Sequence, residues 1–242
     1  MLKSVLFYLV VFLSNIIQCI TGFAGTVLAM PFSVMLVGFE SAKPILNVLG
    51  IAASIGVLIK NYKNVDKHEF IKIVSIMGVG IIGGMFISPY ITADPKLIHI
   101  VLGAVVIVFA LYNAVLFFLK VEKEPNKILA ILLLVAAGIV HGVFVCGGPL
   151  LVTYAAAKIK DKEKFRATLS AVWIVLNTVI MFSDIKQGYF TLKLLPMLAI
   201  SIIMLVGAVF IGEKIAKKMN KNVFMILSYI LMLYSGISLI LN

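Results

Sequence analysis

Apolar residues run along this chain in long stretches separated by short polar loops. Eight stretches stand out, at 4–37, 45–59, 70–92, 97–119, 128–157, 167–183, 192–212 and 222–241. Six approach the length of one bilayer crossing, about 20 residues, with 45–59 and 167–183 on the short side. The other two, 4–37 and 128–157, are too long for one ordinary span. Each is interrupted by small residues, Thr21-Gly22-Phe23-Ala24-Gly25 in the first and Cys146-Gly147-Gly148-Pro149 in the second. Glycine and proline there interrupt a helix and let the chain turn. The pattern predicts an all-α polytopic membrane protein with two broken helical hairpins.

Composition fixes the solvent. Of 242 residues 62% are hydrophobic and 13% charged, and the mean hydropathy is +1.16. A soluble domain is nearer half apolar and a quarter charged, so lipid is the medium. The formal net charge of +11 does not point to nucleic acid, because the basic residues sit in short clusters between apolar runs and only Arg166 is an arginine. Loops 60–72, 120–127, 158–166 and 213–221 hold 16 of the 21 basic residues. The positive-inside rule places these four loops in the cytoplasm. Segment 128–157 then begins and ends on the same side and must fold back on itself. By analogy 4–37 does the same, which leaves both termini outside, with Lys3 a mild argument against that placement of the N-terminus. Lys3 before an apolar run imitates a signal peptide, but no clean cleavage site follows, and the run is expected to be retained.

A constant offset of 123 residues aligns two halves without a gap. It pairs Ala24-Gly25 with Gly147-Gly148, Leu28 with Leu151, Lys43 with Arg166, Lys63 with Lys186 and Gly84 with Gly207. Corresponding loops differ in lysine content: 38–44 is poor and 158–166 rich, 60–72 rich and 184–193 poorer, 92–97 poor and 213–221 rich. Partner loops thus fall on opposite sides of the membrane, the mark of an inverted-topology repeat. The expected organisation is a first transmembrane repeat over 1–119, a cytoplasmic connection over 120–127 and a second repeat over 128–242. Each repeat is a broken hairpin plus three transmembrane helices.

Non-helical backbone at membrane depth must be buried in protein or line a wet cavity, so the two breaks are expected to meet near the midplane. The second arms begin near Gly25 and Gly148, with Pro149 suited to a first helical position. Two helix N-termini would direct free N–H groups and positive dipole ends at one cavity, a setting that favours an anion; the bland alternative is that the glycines only permit tight helix packing. The ten acidic residues lie in loops or at segment ends, which disfavours cation transport. His141 is the titratable nitrogen well inside an apolar run, and the offset pairs it with Gln18. It is a candidate carrier of a coupling proton, or else a neutral hydrogen-bonding residue between helices. The candidate substrate-binding set is Gln18, Thr21, Gly22, Ala24, Gly25, Thr26, Asn47, His141, Cys146, Gly147, Gly148, Ser170 and Asn177; each polar member alone also fits interhelical bonding. Lys43 and Arg166 read as interfacial anchors that snorkel, and Trp173 as a packing residue. Cys19 and Cys146 read as buried thiols, with no disulfide framework. No catalytic constellation, metal cluster, cofactor motif or nucleotide-binding loop is present in the sequence. A membrane-embedded enzyme and a non-transporting membrane subunit are the competing classes.

The residues just described resemble the TauE/SafE family of membrane anion permeases, often called sulfite exporters. The likeness rests on Gly22-Phe23-Ala24-Gly25 with Leu28-Ala29-Met30-Pro31, on Gly147-Gly148-Pro149-Leu150-Leu151-Val152, and on Arg166-Ala167-Thr168-Leu169-Ser170. It covers essentially the whole chain. Two departures bear on the pocket: Ala24 stands where a richer glycine run is common, and Cys146 precedes Gly147 where another glycine is usual. The resemblance implies a multi-pass protein of the cell membrane that exports sulfite or a small organosulfonate, driven by the proton gradient. Its expected partners are a small anionic solute and the lipid bilayer, without nucleic acid; apolar surface alone leaves the oligomeric state open.

Overall fold

A computed structural model of the chain describes residues 2–21, 24–119, 126–216 and 221–241. Its regular elements are ten α-helices: α1 (Leu2–Thr21), α2 (Ala24–Val37), α3 (Phe39–Asn61), α4 (Lys67–Thr92), α5 (Pro95–Phe118), α6 (Lys127–Phe144), α7 (Gly148–Lys158), α8 (Lys162–Lys186), α9 (Leu194–Ala216) and α10 (Lys221–Leu241). Six described helices are long and apolar enough to cross a bilayer, lying within α3, α4, α5, α6, α8 and α9. The protein is a multi-pass membrane protein.

The ends of these helices are set by local chemistry. Asn126 and Asp161 cap α6 and α8, accepting from Leu129 N–H at 2.8 Å and Lys164 N–H at 2.8 Å. Asp94 caps α5, with Pro95 in its first turn. Gly38, between α2 and α3, takes a φ of +79°, where a side chain would be strained. The two stretches that read as short are full-length helices, because α3 starts at Phe39 and α8 runs from Lys162 to Lys186. Charged residues trim an apolar stretch without ending its helix, since the backbone bonds continue through them.

The second long stretch divides where small residues predicted; in the first, the predicted break falls on Gly22 and Phe23, which lie outside the described residues. The offset of 123 also carries over to a helix start. Phe39, which begins α3, becomes Lys162, which begins α8. The elements therefore occur twice in the same order. The α7 helix has 11 residues, roughly 16 Å of axial length, about half the apolar thickness of a bilayer.

The helices form two compact units that cut across the sequence halves. Unit 1 holds 1–46, 89–121 and 189–242, and unit 2 holds 47–88 and 122–188. In unit 1, α1 packs on α2 and α9, and α10 packs on α5. In unit 2, α6 packs on α7 and, through glycines, on α4. A Cβ added to Gly142 would fall 2.6 Å from the carbonyl oxygen of Ile81, and one on Gly138 would fall 2.9 Å from the Cα of Gly80. Only glycine permits that approach. In each unit the first hairpin arm thus packs on the fourth helix of the other half, α1 on α9 and α6 on α4.

Candidate functional site

The second break lies within the described residues. Val145 ends α6 in the left-handed region with φ 58°, and its N–H donates to the carbonyl of His141 at 2.8 Å. Gly147 precedes α7 without a side-chain cap, and Pro149 lies in the first turn of that helix. Residues 141–149 are all buried. This irregular backbone is therefore enclosed in protein, as membrane depth requires.

His141 ties the break to α8. Its Nδ1 accepts from the backbone N–H of Gly147 at 3.3 Å, and its Nε2 lies 2.7 Å from Asn177 Oδ1. A backbone N–H only donates, so Nδ1 must present its lone pair and Nε2 must carry the proton. The two bonds tie the imidazole to the break on one side and to α8 on the other. The Trp173 ring lies 4.8 Å from the imidazole at 41°, the packing role expected of it.

Asn177 extends the connection to α3. Its backbone carbonyl accepts from Asn47 Nδ2 at 3.0 Å. Asn47 is 0% exposed, and its Oδ1 has no hydrogen-bond partner. Gly50 keeps space beside this group, since a Cβ there would fall 2.8 Å from Asn177 Nδ2. Ser170 and Ser54, the offset partners of Asn47 and Asn177, are also buried. Unit 2 thus joins Asn47, Asn177, His141 and Gly147 in one chain of hydrogen bonds. Cys146 is a buried free thiol beside them, and Gly148 opens α7.

Unit 1 contains the remaining candidates. Gly22 lies outside the described residues, as does Phe23. Thr21 ends α1 and Ala24 begins α2. Gln18 and Thr26 are half-buried, and Gly25 is buried against α1. A Cβ on Gly25 would fall 2.6 Å from Gln18 Cβ and 2.8 Å from the carbonyl of Ser14. One on Gly147 would fall 2.8 Å from His141 Cβ. Tight packing of the returning arm therefore accounts for glycine at both hairpins, and it coexists with the uncapped N-terminus of α7.

Three features were not anticipated from sequence. Lys43 is 1% exposed rather than snorkelling, with Nζ 5.9 Å from the Phe39 ring centroid and 6.0 Å from that of Tyr189. It sits in the second turn of α3, inside the longer helix and not at its rim; its offset partner Arg166 is exposed. Asp184 lies at the end of its helix yet is 0% exposed, because α8 continues past the apolar stretch. The third is a polar lock at the start of α4. Tyr154, fully buried, donates to Glu69 at 2.6 Å; Thr168 Oγ1 accepts from the N–H of Asp66 at 2.9 Å; Asn64 donates to Glu163 at 3.1 Å. A tyrosine four residues from the end of a short apolar helix was the available sign of this lock.

The model of the family described as "Sulfite exporter TauE/SafE" matches residues 7–239. No curated protein and no solved structure matches the chain. The match spans nearly every residue, and the chain belongs to the TauE/SafE sulfite exporter family.

Proposed function

We propose that this TauE/SafE protein exports a small anion, sulfite or an organosulfonate, across the cell membrane by alternating access, coupled to the proton gradient. The observation that carries the reading is the buried break at 145–147, followed by the uncapped N-terminus of α7 and bonded to neutral polar side chains. Helix N-terminal N–H groups and the dipole behind them favour negative charge. Asn47, Ser170 and Asn177 supply neutral polar groups from α3 and α8, so an anion would trade its hydration for fixed dipoles. Cys146, Gly147 and Gly148 shape the break, and His141 fixes its position. Gln18, Thr21, Gly22, Ala24, Gly25 and Thr26 are assigned the equivalent role in the first repeat on the strength of the 123-residue offset.

Purified protein in liposomes should catalyse sulfite counterflow at a rate well above that of protein-free vesicles, and a pH gradient should accelerate net flux. Absence of flux for sulfite, sulfonate and sulfate by folded protein would overturn the reading and favour an enzyme or a non-transporting subunit.

The halves 1–119 and 128–242 are proposed to run in opposite directions through the membrane. Lysine placement supports this. Lys63 and Lys186 are offset partners and both exposed. Single cysteines at these positions, with Cys19 and Cys146 replaced by alanine, should react with impermeant maleimide from opposite sides, Lys63→Cys from the cytoplasm. Labelling of both from one side would refute the inversion.

A further inference from the structure

We propose that Asn47 Oδ1 is a specificity-determining acceptor that selects an oxyanion carrying its own proton, so that the transported species is a hydrogen-bearing monoanion. The proposal rests on the transport reading above and names the protonation state of the solute.

The orientation of the Asn47 amide follows from its bond. Nδ2 donates to the Asn177 backbone carbonyl at 3.0 Å, and a flipped amide would set oxygen against oxygen. The atom left over is therefore the acceptor. It is buried and has no hydrogen-bond partner. The other acceptors along the same chain of bonds are taken: the Asn177 carbonyl by Asn47, Asn177 Oδ1 by His141, and His141 Nδ1 by Gly147. An amide oxygen buried without a donor forfeits its hydration with nothing in return, so its persistence at a transport site points to a ligand that donates. Fully deprotonated sulfite, sulfate and methanesulfonate present only acceptors. Hydrogen sulfite presents an O–H.

Charge leads to the same species. The buried polar side chains of unit 2 are Asn47, Ser54, Ser88, His141, Thr168, Ser170, Asn177 and Asp184. None is a lysine or arginine, and His141 uses its Nδ1 lone pair as an acceptor. Among the described residues the buried titratable groups of this unit are His141 on α6, Cys146 in the break, Tyr154 on α7 and Asp184 on α8, with Tyr154 bonded to Glu69 at the start of α4. Unit 2 itself has no buried lysine or arginine among its described residues, while Lys43, one turn before Asn47 on α3, is buried in unit 1; each uncompensated buried charge is costly. A monoanion asks half as much.

The proton then travels on the solute. Sulfite binds a proton in the compartment where it is loaded, crosses as hydrogen sulfite, and releases the proton on the far side. One proton moves with each anion in the same direction, with no side chain titrated. A pH gradient therefore draws sulfite toward the more alkaline side. Outward movement is driven by the solute's own gradient and by the membrane potential acting on the monoanion.

The test is sulfite counterflow in proteoliposomes across a pH series at constant total sulfite, with methanesulfonate and sulfate as competitors. The expected initial rate rises as pH falls, in proportion to the hydrogen sulfite fraction. Methanesulfonate, lacking the O–H, should compete roughly tenfold or more weakly, and sulfate weaker still. His141→Gln should transport more slowly but keep the pH slope. In Asn47→Leu the ratio of hydrogen sulfite to methanesulfonate competition should fall toward one, whatever the overall rate; the wild-type competition carries the test if that variant does not fold. Equal competition by methanesulfonate, a rate independent of pH, or loss of the slope in His141→Gln would each overturn the proposal while leaving anion transport standing. Water satisfying Asn47 in the transport cycle would show itself as equal competition. Absence of flux for every anion would instead overturn the transport reading on which the proposal depends.

Discussion

Gly138→Val should leave little folded protein in the membrane. A Cβ at 138 would lie 2.9 Å from Gly80 Cα and 3.0 Å from the backbone nitrogen of Ile81, and would also collide with the carbonyl of Met77. All three obstacles are backbone, so no side-chain rotation relieves them, and α4 and α6 must separate. Gly80, Gly84 and Gly142 lie in the same seam, and its whole length would open. Overpacking a well-packed contact costs about 1–3 kcal/mol, and this case belongs at the upper end. Between helices in lipid, close van der Waals contact is the main attraction, and separated helices regain nothing from a hydrophobic effect. Detergent-solubilised protein should show a lower Tm and a broadened size-exclusion peak. Gly83→Val on the same helix is the control, because a Cβ at Gly83 meets nothing within 4 Å. Equal behaviour of the two variants would show that the seam does not hold the unit together.

Asn177→Leu is expected to reduce flux about tenfold, equivalent to about 1.4 kcal/mol of lost positioning, and to lower stability as well. Leucine preserves the backbone carbonyl that receives Asn47 and removes the side-chain oxygen 2.7 Å from His141 Nε2. Withdrawing one partner of a buried hydrogen bond costs about 1–3 kcal/mol. The imidazole would then be less firmly held, and with it Gly147 and the start of α7. His141→Leu should produce a similar loss, and the double variant should cost less than the sum of the two. A double-mutant cycle on Tm and on sulfite flux measures that coupling. Strict additivity would show that the two residues act separately.

The break before α7 was legible because its signal is local. Glycine and proline inside an apolar run force an end to α6 wherever the helix goes next, and Pro149 marks the start of α7 for the same reason. His141, Asn47, Asn177 and Ser170 were legible as polar residues in apolar surroundings. Their roles were not, because the bond from Asn47 to Asn177 joins residues 130 apart. Lys43 and Asp184 misled the reading for a related reason. A charge near the end of an apolar stretch looks the same whether its helix stops there or carries it inside.

From sequence alone came the lipid solvent, the helical segments, the break before α7 and the doubled order of elements. These follow from hydropathy, backbone hydrogen bonding and residue-level constraints, all of which act over a few turns of chain. Only the tertiary structure decided that the compact units mix the halves, with α1 on α9 and α6 on α4. In lipid, one apolar helix face resembles another, so partners are chosen by shape, and shape depends on glycines distant in sequence. The same packing joined His141 to Asn177 and Asn177 to Asn47, residues far apart in the chain.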